Sequence, residues 1–399
     1  MDSIKKIYKI GNGPSSSHTM GPKRACSIFH SKNKDAHSYK AHIFGSLALT
    51  GRGHLTDVAI MDVLGDKTEI VWHPNERLPL HTNGLRFEAF DSDRKLNDSW
   101  EVYSIGGGEI MDKVSKIEPE DIYPHNNMFD IMKHLDDEGG TFWEYVFRND
   151  KDDLYQHLEL VWKTMKEAIE RGLKTEGTLP GGLKLLRKAP SYFIKAKMLN
   201  QFIQDDSFLF DYALAVSEEN AAGHVVVTAP TCGSSGILPS VLYFFHKNKN
   251  FSDEFIIRAL ATAGLIGNIV KENASISGAE VGCQGEVGVA SAMAAAAATQ
   301  LIGGSIPQIE YSAAAAQEHH LGLTCDPVAG LVQIPCIERN AFGAQRAIDS
   351  ALFAINSDGR HMVMFDQVVE AMKQTGNDLP SLYKETALGG LAKVYKFTK

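Results

Sequence analysis

The sequence predicts an α+β N-terminal domain followed by a mostly all-α domain. Three observations carry this expectation. Short apolar segments bounded by Gly, Asn, Asp or Pro crowd the first third, apolar residues at helical spacing follow, and two Ala-rich runs come after them. At 399 residues the chain is long for one core, so two domains are expected, spanning 1–124 and 125–399.

Arg24 to Ser31, just after a Gly-X-Pro, opens a helix. AHIFGSLALTG, TEIVWHP, LRFEAFD and WEVYSIGG read as strands. From about Ser115, KIEPEDIYPHNNMFD carries prolines and paired asparagines and reads as a linker or domain edge. In DDLYQHLELVWKTMKEAIERG, Leu154, Leu158, Val161, Met165 and Ile169 recur at helical spacing. Asp152 and Asp153 start that helix and Gly172 closes it. HVVVTAP is the main strand-like run beyond it. ASAMAAAAATQLIGG and EYSAAAAQEHHLGL are rich in a small, strongly helix-forming residue, which predicts buried central helices.

Composition narrows the function classes. The chain is 44% hydrophobic and 22% charged, an ordinary profile for a folded protein. A net charge of −9 without a basic stripe excludes a nucleic-acid partner. MDSIKKIYKIG lacks the apolar core of a signal peptide. VGVASAMAAAAA is too short and too alanine-rich to span a bilayer. A reducing, cytoplasmic setting with no membrane partner is expected. There the five cysteines (Cys26, Cys232, Cys283, Cys325 and Cys336) do not form a disulfide framework.

The chemistry-bearing segments are compact. GPSSSHTMGP, residues 13–22, sets Ser15, Ser16, Ser17, His18 and Thr19 between Gly-Pro punctuation marks. His54 in TGRGHLTD and His81 in LPLHTNG also sit in turn-like sequence, and histidine is the commonest proton-transfer group near neutral pH. Cys283 in GAEVGCQGEVG, Cys325 in LTCDPVAG and Cys336 in QIPCIERN have Gly or Pro nearby, which places them at helix ends or turns. Such positions supply backbone N–H groups to a metal-binding thiolate. Their spacing matches no ferredoxin or zinc-finger pattern, so buried structural thiols are an equal reading from spacing alone. YSIGGGEI and TAPTCGSSGILP are candidate anion nests, with turn and tight packing as the plainer alternative. Neither fits a dinucleotide, P-loop or nucleophile-elbow pattern.

Together GPSSSHTMGP, GSLALTGRGH, SIGGGEI, SEENAAGHVVVTAPT, KENASISGAEVGCQGEVG and CDPVAGLVQIPCIERN resemble the iron–sulfur-dependent L-serine dehydratases in their single-chain form. The resemblance covers nearly the whole chain. It implies an N-terminal α/β domain on a helical catalytic domain, a homodimer, and a 4Fe–4S cluster on Cys283, Cys325 and Cys336. It further implies His18, His54 and His81 as candidate proton acceptors. Ser15, Ser16, Ser17, Thr19, Asn83 and Ser104 are the expected substrate contacts. The chain reads HTN at His81 where HPN is expected, and Cys232 stands where many relatives are expected to carry Asn. Cys232 is not counted as a ligand, and the ending LAKVYKFTK offers no terminal cysteine.

The implied reaction converts L-serine to pyruvate and ammonia. Three thiolates leave one iron open as a Lewis acid for a carboxylate and a departing hydroxyl. A lyase acting on L-threonine or L-cysteine is the nearest alternative. A pyridoxal-phosphate enzyme lacks a persuasive lysine and phosphate cup, with GGG at 106–108 its only hint. A serine-binding sensor would not need three cysteines, and Ser-His hydrolysis lacks an acid partner.

Overall fold

The computed structural model describes residues 1–114 and 120–396. The expected linker therefore lies partly outside the described residues; of its remainder 120–127 is irregular, and Met128 to Asp130 already begin a helix.

The chain enters through β1 (Ile10–Asn12), which pairs antiparallel with the distant β7 (Val225–Val227), Gly11 opposite Val226. Met1, Ile4, Ile7 and Tyr8 bury themselves in the core of the larger, helical body. Tyr8 fixes this entry by donating to the Leu260 carbonyl at 2.8 Å. The first dozen residues thus pack on the body that the sequence reading assigns to 125–399.

The smaller unit follows. Helix α1 (Gly21–Lys32) leads to β2 (Ser38–Phe44), α2 (Gly45–Thr50), α3 (Thr56–Leu64) and β3 (Thr68–His73). Next come β4 (Gly84–Phe90), β5 (Leu96–Gly106) and β6 (Glu109–Asp112). The sheet order is β3-β2-β4-β5-β6, with β2 and β3 parallel and the other neighbours antiparallel. Strand alternation sends Tyr39, Ala41, Ile43, Leu85 and Phe87 to one face, where they meet Cys26 and Phe29 of α1 and Ile60 of α3. His42, Arg86 and Glu88 alternate to the other face.

One expected strand needs correction. AHIFGSLALTG is not continuous: β2 stops at Phe44, Gly45 turns the chain at φ +56°, and Gly45–Thr50 is helical. The GGG of SIGGGEI forms the β5–β6 turn, with all three glycines at positive φ.

The larger body is helical: α4 (Met128–Glu138), α5 (Phe142–Asn149), α6 (Leu154–Gly172), α7 (Ala189–Ala196) and α8 (Gln201–Ala221) precede β7. After it come α9 (Ile237–Asn248), α10 (Asp253–Asn273), α11 (Gly278–Val281), α12 (Val287–Leu301) and α13 (Ile306–Glu318). The chain finishes with α14 (Cys336–Ile355), α15 (Phe365–Asp378) and α16 (Gly390–Val394). The Ala-rich α12 is the hub, packed against α9, α10, α13 and α14 and buried except at Gln300. Alanine makes this possible: its small side chain lets four helices approach while keeping the best helix propensity. Among the described residues no helix is long and apolar enough to cross a membrane.

Candidate active site

The two bodies meet at a cavity whose walls come from both. Pro14, Ser15 and His54 line it from the smaller unit, and Cys283, Glu286, Cys325 and Cys336 from the helical body. Glu385, late in the chain, completes the lining.

GPSSSHT reaches this wall because β1 is sewn to β7 and Gly13 donates to the His224 carbonyl at 3.0 Å. Gly13 packs too tightly for any other residue, since a Cβ there would lie 2.2 Å from Asn220 Oδ1 and 2.4 Å from its carbonyl oxygen. Asn220 returns a hydrogen bond to the Pro14 carbonyl at 2.8 Å. Ser16–Met20 is then a wide helical turn running into α1, not an open loop. Ser15 caps it, accepting from the His18 N–H at 3.1 Å.

His18 and His54 are both fully buried, their rings edge to face with centroids 4.5 Å apart. Their backbones are clamped reciprocally. Thr19 donates to the His54 carbonyl at 2.7 Å, and Thr56 donates to the His18 carbonyl at 2.6 Å. The His18 ring is hydrogen-bonded at Nδ1 to Ser17 Oγ, at 2.8 Å, and at Nε2 to Ser46 Oγ, at 3.4 Å. Among the described residues, neither ring nitrogen of His54 has a hydrogen-bond partner. Glu385 Oε1 stands 3.4 Å from His18 Nδ1 and 3.9 Å from His54 Nδ1. Burial holds both imidazoles neutral, His18 well below the usual range and His54 at about 3. Burial, then the nearby Glu286 and Cys283, holds the Glu385 carboxyl well above its usual range.

The sulfur side is built on irregular backbone, as the flanking glycines and prolines dictate. Cys283 lies in a single 3-10 turn between α11 and α12, and Cys336 opens α14. Cys325 exchanges backbone hydrogen bonds with 383–385: its N–H donates to the Tyr383 carbonyl at 2.8 Å, and Glu385 N–H donates to its own carbonyl at 2.9 Å. Glu286 Oε2 lies 3.9 Å from both Cys283 Sγ and Cys325 Sγ, and Thr231 steadies its other oxygen at 2.7 Å. All five cysteines are free thiols. The neighbouring Cys283 sulfur and then burial push the Cys325 thiol up, and burial does the same for Cys336. Arg339, one turn past Cys336, anchors the Cys325 flank through the Thr324 carbonyl at 2.6 Å and Asp326 at 3.3 Å. Three thiols and a carboxylate converging on one cavity, with no disulfide among them, are a donor set that suits a soft-metal group. Cys232 is elsewhere engaged, its sulfur 3.3 Å from that of Met20.

The other sequence candidates stand apart from this wall. His81 accepts the Asn83 N–H at Nδ1, at 3.0 Å, and pairs through Nε2 with Glu280 of α11 at 3.2 Å. Asn83 and Ser104 are fully buried and joined through a 2.9 Å backbone hydrogen bond, yet among the described residues the Asn83 amide and Ser104 hydroxyl lack partners. Ser16 is buried in the helical turn.

Against known families, the serine dehydratase alpha chain model matches residues 38–392 and the beta chain model residues 3–67. The chain belongs to the serine dehydratase family. It carries both serine dehydratase regions in one polypeptide. It is 41% identical to L-serine dehydratase 2 of Escherichia coli, over 98% of each chain. It is 40% identical to an L-serine dehydratase of Haemophilus influenzae, over 98% of this chain and 99% of that protein. An L-serine dehydratase of Streptomyces coelicolor is 38% identical over 98% of each chain.

Within this serine dehydratase the sequence reading missed Glu286, Glu385 and Ser46. Glu286 sat in plain view inside CQGEVG, where an acid at a helix start reads as an ordinary dipole partner. Glu385 in LYKETALGG has no motif to mark it, although its φ of 57° shows backbone held in an unfavoured region.

Proposed function

We propose that the chain deaminates L-serine to pyruvate and ammonia, with a 4Fe–4S cluster held by Cys283, Cys325 and Cys336. The observation that carries this reading is one cavity lined by those three thiols on one side and by His54 and Glu385 on the other. When bound, the cluster supplies a Lewis-acidic iron without a protein sulfur, which polarises the substrate's carboxylate and β-hydroxyl.

The chain's own residues do the rest. Ser15, capping the turn at the cavity wall, contacts the substrate, while the buried Ser16, Ser17 and Thr19 hold the turn behind it and Asn83 and Ser104 lie apart from the wall. His54 takes the α-proton, because it lines the cavity with both ring nitrogens unengaged among the described residues. His18, fixed by Ser17 and Ser46, positions His54, and the Glu385 carboxyl closes the site behind both rings, its Oε1 3.4 Å from His18 Nδ1 and 3.9 Å from His54 Nδ1. His81 acts from outside, holding the smaller unit to α11 through Glu280. Loss of the α-proton and of the β-hydroxyl, which leaves as water, yields aminoacrylate. Its imine tautomer then hydrolyses to pyruvate and ammonia.

A cytoplasmic homodimer is proposed as well. The free cysteines support a reducing setting. A dimer is supported by Phe342 and Phe353, exposed at 69% and 62% and eleven residues apart on one face of α14.

The test is 2-oxoacid and ammonia release by anaerobically prepared protein from L-serine, L-threonine and L-cysteine in parallel, read as pyruvate from L-serine and L-cysteine and as 2-oxobutyrate from L-threonine. L-serine is expected to turn over fastest, with one ammonia per pyruvate. Faster release from either rival would reassign the substrate.

A further inference from the structure

Away from the cavity, the open face of the small sheet holds a second constellation. His42 on β2 and His73 at the end of β3 approach ring to ring, His42 Nδ1 lying 2.9 Å from His73 Nε2. Each outer nitrogen faces a carboxylate. His73 Nδ1 is 3.0 Å from Glu76 Oε1, and His42 Nε2 is 3.4 Å from Glu88 Oε2. Four groups therefore form one row: Glu88, His42, His73, Glu76.

Counting protons exposes a vacancy in the row. Two neutral imidazoles carry two N–H groups between them. If His73 Nδ1 donates to Glu76 and His42 Nε2 faces Glu88 with its proton, both inner nitrogens are bare lone pairs aimed at one point. If His42 instead donates inward, its Nε2 lone pair faces the Glu88 carboxylate, and that buried nitrogen indeed lacks a hydrogen-bond partner. Neutral rings thus satisfy both hydrogen bonds of the row, whereas an added positive charge, a third proton or a metal cation between the rings, also turns a His42 Nε2 proton towards Glu88 at 3.4 Å.

We propose that His42 Nδ1 and His73 Nε2 bind a borderline divalent transition metal, of the Zn²⁺ class, with Glu88 and Glu76 holding the outer ring nitrogens. A carboxylate behind each metal-bound imidazole is the arrangement that fixes tautomer and raises ligand basicity. Two nitrogens on a tetrahedral Zn²⁺ stand roughly 3.3 Å apart at bond lengths of about 2.0–2.1 Å, so the rings need part by only a few tenths of an ångström. The rings are also preset. Phe44 stacks on His73 with centroids 4.5 Å apart and planes 10° from parallel. Arg86, the cation packed over Phe44, is engaged by Glu101 at 3.3 Å and leaves the two carboxylates to the histidines. The Glu76 carbonyl accepts from Gly45 N–H at 2.9 Å, which ties this row to the turn that ends β2.

The experiment uses the full chain without a histidine tag, purified anaerobically with its own metal content. The probe is Zn²⁺ alone, competed against a chromophoric chelator. Wild type is expected to take up one Zn²⁺ per chain more than His42→Ala or His73→Ala, with thermal melts unchanged. His42→Gln and His73→Gln, which keep side-chain bulk, should lose the same equivalent, so a folding defect cannot imitate the result. Glu88→Gln should bind about tenfold or more weakly. Equal Zn²⁺ uptake by wild type and all four histidine variants would mean that the pair merely shares a proton, and would overturn the proposal.

Discussion

The two walls of the cavity are built on opposite principles. The thiol wall rests on helices α12 to α14, where alanines fully exclude water, and its sulfurs sit at the irregular ends of rigid elements. The imidazole wall rests on short turns, where His18 and His54 are held by hydroxyl-to-carbonyl clamps between residues 18–19 and 54–56. The thiols are thus fixed by packing, and the imidazoles by hydrogen bonds. Glu385 belongs to both sides, bonded through its backbone to Cys325 and Ser46 and facing the two histidines with its carboxyl.

Breaking one wall at a time should separate metal from turnover. The largest effect is expected on the thiol side. Cys283→Ser, Cys325→Ser or Cys336→Ser should lose iron together with turnover, by on the order of 10³-fold or more, since a Lewis acid contributes several kcal/mol. Iron analysis beside a pyruvate assay checks this, and active, iron-free variants would remove the thiols from the reaction.

His54→Ala should keep its iron and lose about 10²–10⁴-fold in kcat, the usual range for a general base. Iron loss in this variant would instead make the imidazole wall part of the metal's support. Gly13→Ala sharpens the comparison further. Its Cβ must displace Asn220, which holds the Pro14 carbonyl beside the capping Ser15, so kcat should fall by roughly 10²-fold at unchanged iron. Full activity would show that the turn tolerates movement.

The smallest effect concerns pH. His54 titrates at 6.5 when unfolded but at about 3 in the fold, so the unfolded chain binds its proton first. Its contribution to stability is complete above about pH 6.5 and is lost as pH falls from there towards 3, by about 1.4 kcal/mol per pH unit at most. Denaturant titrations of wild type and His54→Asn between pH 7 and 5 should diverge accordingly, and parallel curves would place His54 in contact with water.

Much of this was legible in the sequence because short-range chemistry marked it. Gly and Pro around Cys283, Cys325 and Cys336 announced irregular backbone, and the alanine runs announced the buried hub. GSLALT misled as a strand because a short apolar run has no decisive period, and only the turn at Gly45 settles it. Met1 to Tyr8 looked like a charged start, yet Ile4, Ile7 and Tyr8 point inward while Lys5 and Lys6 pair with acids at the surface. Glu385 was illegible for a topological reason. Its backbone partner Ser46 is 339 residues away, and no local pattern records so distant a meeting.

The central claim is that the three thiols carry an iron–sulfur cluster used on L-serine. The most direct test is iron and acid-labile sulfide per chain after anaerobic purification, with pyruvate release from L-serine assayed on the same sample. The account predicts about four of each per chain and activity that fades in air as the cluster is lost. Undiminished serine turnover by iron-free protein would contradict it.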